Sequence, residues 1–178
     1  EAHSPDIMEN QPELLAQHYS EAGLVEKAIA YWGKAGRRSV AHSAMAEAAT
    51  QYQRALDQLA LLLDDAERQR QELEFCSALG AVVRAVKGNA APETGYAFAR
   101  ARKLWEQLGS PSEFLHVPYG QSRYHVYRGE LDLALRLDDE LLRLSRQRDD
   151  TAGLVLGHTH LRSKPIVCRQ VRVIPVSS

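Results

Sequence analysis

Residues 15–35 read LAQHYSEAGLVEKAIAYWGKA, and Gly23 separates two apolar patterns of helical spacing within this stretch. Before the glycine, Leu15 and Tyr19 fall four residues apart on one helical face. After it, Ala28 and Trp32 have the same spacing. Apolar residues that recur every three to four positions are typical of amphipathic helices, and a glycine between two such patterns is typical of a helix end. The stretch predicts a helix hairpin.

The hexapeptide at the turn of this hairpin returns later in the chain. GLVEKA at 23–28 and GELDLA at 129–134 share a glycine followed five positions on by an alanine. The two alanines are 134 − 28 = 106 residues apart, close to three times the roughly 34-residue period of stacked helix hairpins. We therefore expect an all-α, right-handed solenoid of antiparallel helix hairpins with about seven to eight helices.

Further helical patterns follow one another along the chain. We expect Ser43 to cap a third helix whose apolar stripe runs from Met45 to Leu63, and a kink or late start at Pro118 in a sixth. In the seventh, Asp138 and Asp139 are expected on the solvated face. Trp32, Tyr52 and Trp105 are expected in the core. The remaining patterns cover 66–87, 92–108, 112–128 and 130–148, and an eighth begins near Thr151.

The chain changes character at about His158. Residues 158–178 lose helical periodicity and contain Pro165 and Pro175. From Thr151 onward there are four basic residues and no acidic one, so the preceding body carries 18 − 23 = −5. We expect a helical-repeat domain at 1–157 and an atypical, irregular basic tail at 158–178, which a truncated or shifted reading frame, vector-derived residues or a divergent terminus would explain.

Composition places the chain among ordinary globular proteins. It is 44% hydrophobic and 25% charged, with a formal net charge of −1. Such a charge supplies no field for nucleic acid, and the aliphatic run from Leu59 to Leu63 is too short to cross a bilayer. Cys76 and Cys168 lie in different contexts, which favours reduced thiols in a cytoplasm. Because the chain begins with Glu1, we expect it to be part of a longer protein.

The first hairpin resembles the tetratricopeptide repeat, in which small and aromatic residues alternate between packed helices. Ala16, Tyr19, Ala28 and Trp32 occupy such positions, and Ala48 with Tyr52 and Ala55 repeats the second half. The run at 10–157 is also similar to a narrower family. That family is the helical-repeat region C-terminal to class III nucleotide-cyclase-like and predicted ATPase domains of large bacterial signalling proteins. The resemblance implies a regulatory module rather than an enzyme.

Residues that could carry chemistry favour a structural role. The chain contains no phosphate-binding loop of the G-x4-G-K-[ST] type, and no G-x-S-x-G turn for a hydrolase nucleophile. Ser39, His42 and Asp57 can be combined on paper into a triad, but two of them lie on one helix that is expected to be packed. His158 and His160 form the closest histidine pair. We expect no catalytic residues, no metal and no cofactor.

The expected function is binding of a protein or peptide in a concave groove. The first helix of each hairpin lines the concave side of such arrays, and the candidate groove residues there are Gln17, Ser20, Arg84, Arg123 and Tyr127. Arginine forks would pair with carboxylates of an extended or acidic peptide. Two alternatives stay open: an enzyme fragment with a cryptic hydrolase site, and a self-association module that dimerises through the exposed C-terminal end of the array. No membrane or nucleic-acid partner is expected.

Overall fold

A computed structural model of the chain describes residues 11–151 and 153–157, which are helical and contain no strand. The all-α prediction is therefore confirmed for these residues. A 3-10 turn at Ser112–Phe114 precedes α6, and helical residues continue at 151 and 153–157. The α-helices are α1 (Pro12–Glu21), α2 (Val25–Ala41), α3 (Met45–Leu59), α4 (Ala66–Lys87), α5 (Pro92–Gln107), α6 (His116–Tyr127) and α7 (Leu131–Gln147).

The chain divides into two compact units, with the boundary between Val86 and Lys87. In the first unit, α1 packs on α2 and α2 packs on α3. Trp32 and Tyr52 are both buried in its core, as the sequence predicts. Small and aliphatic residues of these three helices complete the core together with Phe75 and Val82 of α4. The small and aliphatic residues are Ala16, Ala28, Ile29, Ala48, Ala55 and Leu59.

The second unit is organised around Trp105, which is fully buried, as predicted. Its indole Nε1 donates a hydrogen bond to the carbonyl oxygen of Pro111 at 2.9 Å, so the ring holds the turn that follows α5. Within this unit α6 packs on both α5 and α7. Helix α6 begins at His116, which confirms the late start expected near Pro118. The buried apolar side chains of the unit include Phe98, Leu104, Leu115, Val117, Val126, Leu137 and Leu141.

One turn geometry recurs between helices. At the end of α1, Gly23 has a φ of 70°, and the next residue, Leu24, donates its N–H to the carbonyl of Tyr19 at 2.9 Å. This is the Schellman arrangement, which satisfies the last carbonyls of a helix. Gly23 also donates its N–H to the carbonyl of Ser20 at 3.2 Å. Both main-chain bonds and a positive φ recur with Ser43, Gly109, Gly129 and Asp149 in the place of Gly23.

The turn residue is followed at a fixed distance by a buried alanine. Ala28, Ala48 and Ala134 each lie five residues after a turn residue, and each donates its N–H to the residue that opens the new helix. The hexapeptide that recurs at 23–28 and 129–134 thus forms the same turn at both places. A third copy at Ser43 was missed, because serine replaces glycine there.

The 106-residue separation of Ala28 and Ala134 does not correspond to three whole hairpins. Five helices, α2 to α6, lie between the turns at Gly23 and Gly129, whereas three hairpins would contain six. Gly23 and Ser43 are 20 residues apart, and the same interval separates Gly109 from Gly129 and Gly129 from Asp149. Each of these three intervals contains one α-helix with its turn.

Three local predictions are corrected by the structure. Ser43 does not cap α3, because Ala44 holds that position and Ser43 is the left-handed turn residue. Leu63 lies outside α3, which ends at Leu59, and is 88% exposed. Asp138 is fully buried rather than solvated, since it falls on the same face of α7 as Ala134, Leu141 and Ser145, which are all buried.

Replacing Ser43 by glycine should stabilise the protein. A residue with a Cβ costs about 1–2 kcal/mol in the left-handed conformation, and glycine removes this strain. Glycine also raises the conformational entropy of the unfolded chain, which offsets part of the stabilisation. We expect Ser43→Gly to raise the free energy of unfolding by about 0.5–1 kcal/mol in urea titrations. The reciprocal change Gly23→Ser should lower it by a similar amount. Equal or lower stability of Ser43→Gly would contradict this account of the turn.

Candidate functional site

A groove of about 910 Å³ lies within the first unit, between one face of α2 and the N-terminal half of α4. The loop between α3 and α4 closes one side. We call it the α2–α4 groove. Its lining combines apolar side chains with six charged ones: Glu26, Ile29, Ala30, Gly33 and Arg37 from α2, Leu62, Leu63 and Asp65 from the loop, and Glu67, Arg68, Gln71, Glu74 and Phe75 from α4.

The floor of the groove is apolar because α2 carries a glycine where α4 approaches. A Cβ on Gly33 would lie 2.8 Å from Cε1 of Phe75, a distance that no side chain tolerates. The absence of a side chain lets Phe75 lie against the helix backbone. Ile29, Gly33 and Phe75 are all buried at this floor. The glycine, which weakens an isolated helix, therefore serves close packing.

The rim of the groove is an exposed leucine held on an ordered loop. Leu63 exposes 88% of its surface and lines the groove beside its apolar floor. Arg68 fixes the loop: its Nε donates to the carbonyl of Leu59 at 3.1 Å, and its Nη1 donates to Asp64 Oδ1 at 2.7 Å. The carboxylate of Asp65 accepts the N–H of Arg68 at 2.8 Å. Hydrogen bonds thus hold the chain on both sides of Leu63.

The charge of the groove is acidic. Four carboxylates and two guanidinium groups line it, and both guanidinium groups have acidic neighbours. Arg37 lies 3.5 Å from Glu74, and Arg68 lies 3.3 Å from Glu72. Within the described part of the chain, neither Glu26 nor Glu67 has a cationic partner. A ligand that enters the groove meets these two carboxylates on opposite walls, and Glu67 also accepts a hydrogen bond from Gln71 Nε2 at 3.1 Å.

The core residue Tyr52, which does not itself line the groove, has a perturbed pKa. Burial raises the pKa of the Tyr52 phenol, and the nearby Arg37 opposes this shift while Glu74 adds to it. Tyr52 packs against Phe75, with ring centroids 6.2 Å apart. Both rings are core groups in contact with the groove floor, and the phenol stays protonated and neutral at physiological pH.

Two of the predicted groove residues share a second, smaller cavity of about 270 Å³. Gln17 and Ser20 line it together with Trp32 and Arg54. The Ser20 hydroxyl already makes two hydrogen bonds within the protein. It accepts one from Trp32 Nε1 at 3.0 Å and donates one to the carbonyl of Ala16 at 2.8 Å. Gln17 is exposed and donates to Glu21 at 3.0 Å.

Two other predicted residues contact each other on α6. The guanidinium of Arg123 lies between the rings of Tyr119 and Tyr127, at 5.8 Å and 5.7 Å from their centroids. Its Nη1 also donates to the Tyr119 hydroxyl at 3.1 Å. Arg84, the fifth predicted residue, is half-buried on α4. None of the five predicted residues lines the α2–α4 groove.

The sequence missed the groove because its members look like ordinary core and solvent residues. Phe75 follows an apolar stripe, and the sequence spacing of Leu63 continues the stripe of α3. The one available signal was the aliphatic run of 59–63 ending at two aspartates, which places leucines at a helix end.

In the described residues, Ser39, His42 and Asp57 form no hydrogen bonds with one another. Ser39 donates to Gln51 Oε1 at 2.7 Å, and Asp57 accepts from Gln53 at 3.0 Å. No group of three metal-ligating side chains occurs among residues 11–157, apart from the undescribed Ala152. In the same residues no helix is long and apolar enough to cross a membrane. His158, His160 and Cys168 lie outside the described residues.

Comparisons with protein-family models, with curated proteins and with solved structures find no match for this chain.

Replacing Ser20 by alanine should destabilise the fold rather than remove a ligand contact. Trp32 is 4% exposed, so its indole N–H would lose its partner where water has little access. We expect Ser20→Ala to lower the free energy of unfolding by about 1–2 kcal/mol in urea titrations. The matched control Gln17→Ala removes an exposed hydrogen bond and should stay within about 0.5 kcal/mol of the wild type. Equal effects of the two changes would contradict the structural role of Ser20.

Proposed function

We propose that this chain is a protein-interaction module that binds a segment of a partner protein in the α2–α4 groove. The observation that carries the proposal is the combination of a buried apolar floor, at Ile29 and Phe75, with an exposed and anchored Leu63 at the rim. Apolar surface in a groove that is rimmed by polar residues is typical of protein-interaction sites.

The chemistry of the lining also favours recognition over catalysis. Catalysis of the serine- or cysteine-hydrolase type needs a hydroxyl or thiol nucleophile next to a base. The described lining of the groove offers carboxylates, guanidinium groups, one glutamine and apolar side chains. These groups hold a ligand through burial and charge, which is what a binding module requires.

The wider setting follows from the resemblance stated above. We propose that the helices stack as tetratricopeptide-like hairpins and serve as a regulatory or scaffold region of a bacterial signalling protein of the cyclase and ATPase type, in the cytoplasm. The α-helical composition of the described residues and the recurrent helix turns support this proposal. Repeats of this kind usually present surfaces to other proteins.

Self-association is a second candidate, favoured by apolar exposure in the second unit. Val155 is 59% exposed in the last described helical segment, and Leu135 on α7 is 41% exposed. A partner copy that covers such side chains would gain burial energy. Light scattering on the full chain tests self-association. This candidate predicts a dimer whose dissociation is promoted by Val155→Asp.

The test of groove binding is selection from an unbiased library of displayed peptides of about sixteen residues. We expect selected peptides to bind Leu63→Asp at least about tenfold more weakly than the wild type, because an apolar contact is replaced by a charge. The matched control is Leu61→Asp. Leu61 is 68% exposed in the same loop but does not line the groove.

Because both leucines are exposed, neither change should disturb folding, which circular dichroism and urea titration check. Peptides that bind both variants as well as the wild type, or that lose affinity equally for both, would overturn the proposal.

A further inference from the structure

We infer that the occupant of the α2–α4 groove is a short amphipathic helix of a partner protein, with a narrow apolar face bordered by lysine or arginine. This inference rests on the proposed function and specifies its partner class. It joins three properties of the groove: its charge, the nature of its walls and its length.

Charge selects a basic partner. The carboxylates of Glu26 and Glu67 stand on α2 and on α4, and no cation pairs with either of them among the described residues. Arg37 and Glu74 are both more than half exposed and 3.5 Å apart, which is a weak pair that a competing cation can displace. Arg68 is committed to the loop through Leu59 and Asp64. An acidic peptide would meet repulsion on both sides, whereas a basic one gains complementarity.

The walls select a helix over an extended strand. Both are α-helices, whose main-chain donors and acceptors are used within the helix except in the first and last turns. An extended peptide in the groove would bury its own N–H and C=O groups without partners there, at a cost for each group. A helix satisfies its main chain internally, and its side-chain ridges fit between those of two neighbouring helices.

The length of the groove sets the size of the contact. On α2 the lining runs from Glu26 to Arg37, and on α4 from Glu67 to Phe75. At a rise of about 1.5 Å per residue these faces are roughly 12–16 Å long. They match two to three turns of a ligand helix. Such a helix places apolar side chains at i, i+3, i+4 and i+7 on the floor around Phe75 and against Leu63.

The inference is tested with two designed peptides of about sixteen residues on the full chain. Both carry leucine at i, i+3, i+4 and i+7 with alanine elsewhere, and the stripes that border the leucines are lysine in one and glutamate in the other. Fluorescence anisotropy gives the two dissociation constants. We expect the lysine peptide to bind at least about tenfold more tightly at low salt, and to weaken several-fold as salt is raised.

Charge-neutral variants locate the effect. The double variant Glu26→Gln with Glu67→Gln should weaken the lysine peptide about fivefold, as expected for two exposed ion pairs. The matched control Glu47→Gln removes an exposed carboxylate of α3 that does not line the groove, and should leave affinity unchanged. Equal binding of the two peptides, or equal effects of the double variant and the control, would overturn the inference.

The library selection described above separates the failure of this inference from that of the proposed function. Selected peptides that depend on Leu63 and are rich in lysine or arginine at helical spacing support the inference. Peptides that depend on Leu63 but are acidic, or contain proline that breaks a helix, overturn the inference and leave the binding function standing. Selected peptides that show no dependence on Leu63 overturn both.

Discussion

The close approach of α2 to its neighbours is the constraint on which the first unit depends. A Cβ on Gly33 or Gly36 would lie 2.8 Å from Phe75 and 2.5 Å from Tyr52, respectively. Glycine costs about 1 kcal/mol relative to alanine within a helix. Here the cost is offset because two aromatic rings, whose centroids are 6.2 Å apart, pack directly against the helix backbone. The same packing places Phe75 at the floor of the α2–α4 groove.

The polar groups around the groove reinforce this arrangement rather than compete with it. Arg68 ties the loop of residues 60–65 to the end of α3 and to the start of α4, so the exposed Leu63 has a defined position. A binding surface that is ordered before the ligand arrives avoids part of the entropy cost of association. Glu26 and Glu67, which have no cationic partner among the described residues, would then favour a basic ligand. Packing, loop order and charge act at one place.

Much of the fold could be predicted from the sequence, because helix periodicity and turn residues are local signals. Proline at the first position of α1 and of α5, and Gly88 after the end of α4, are such local signals, and Trp32 and Trp105 are buried as predicted. What failed depended on context. Ser43 is of a residue type that is favoured at helix N-caps, yet it adopts the left-handed conformation usual for glycine. Asp138 has a charged side chain, which is typical of surface residues, yet it lies within a buried stripe of α7. The groove was not predictable, because it arises from a tertiary approach between helices that are distant in sequence.

The most direct measurement is a titration of the isotope-labelled full chain with the lysine-bordered helical peptide, followed by amide NMR. If the α2–α4 groove is the binding surface, the largest shift changes fall on residues 26–37, 62–65 and 67–75, and they disappear in Leu63→Asp. Changes concentrated instead around Gln17 and Ser20, or around Arg123 and Tyr127 on α6, would contradict the account and move the binding surface to the residues that the sequence had favoured.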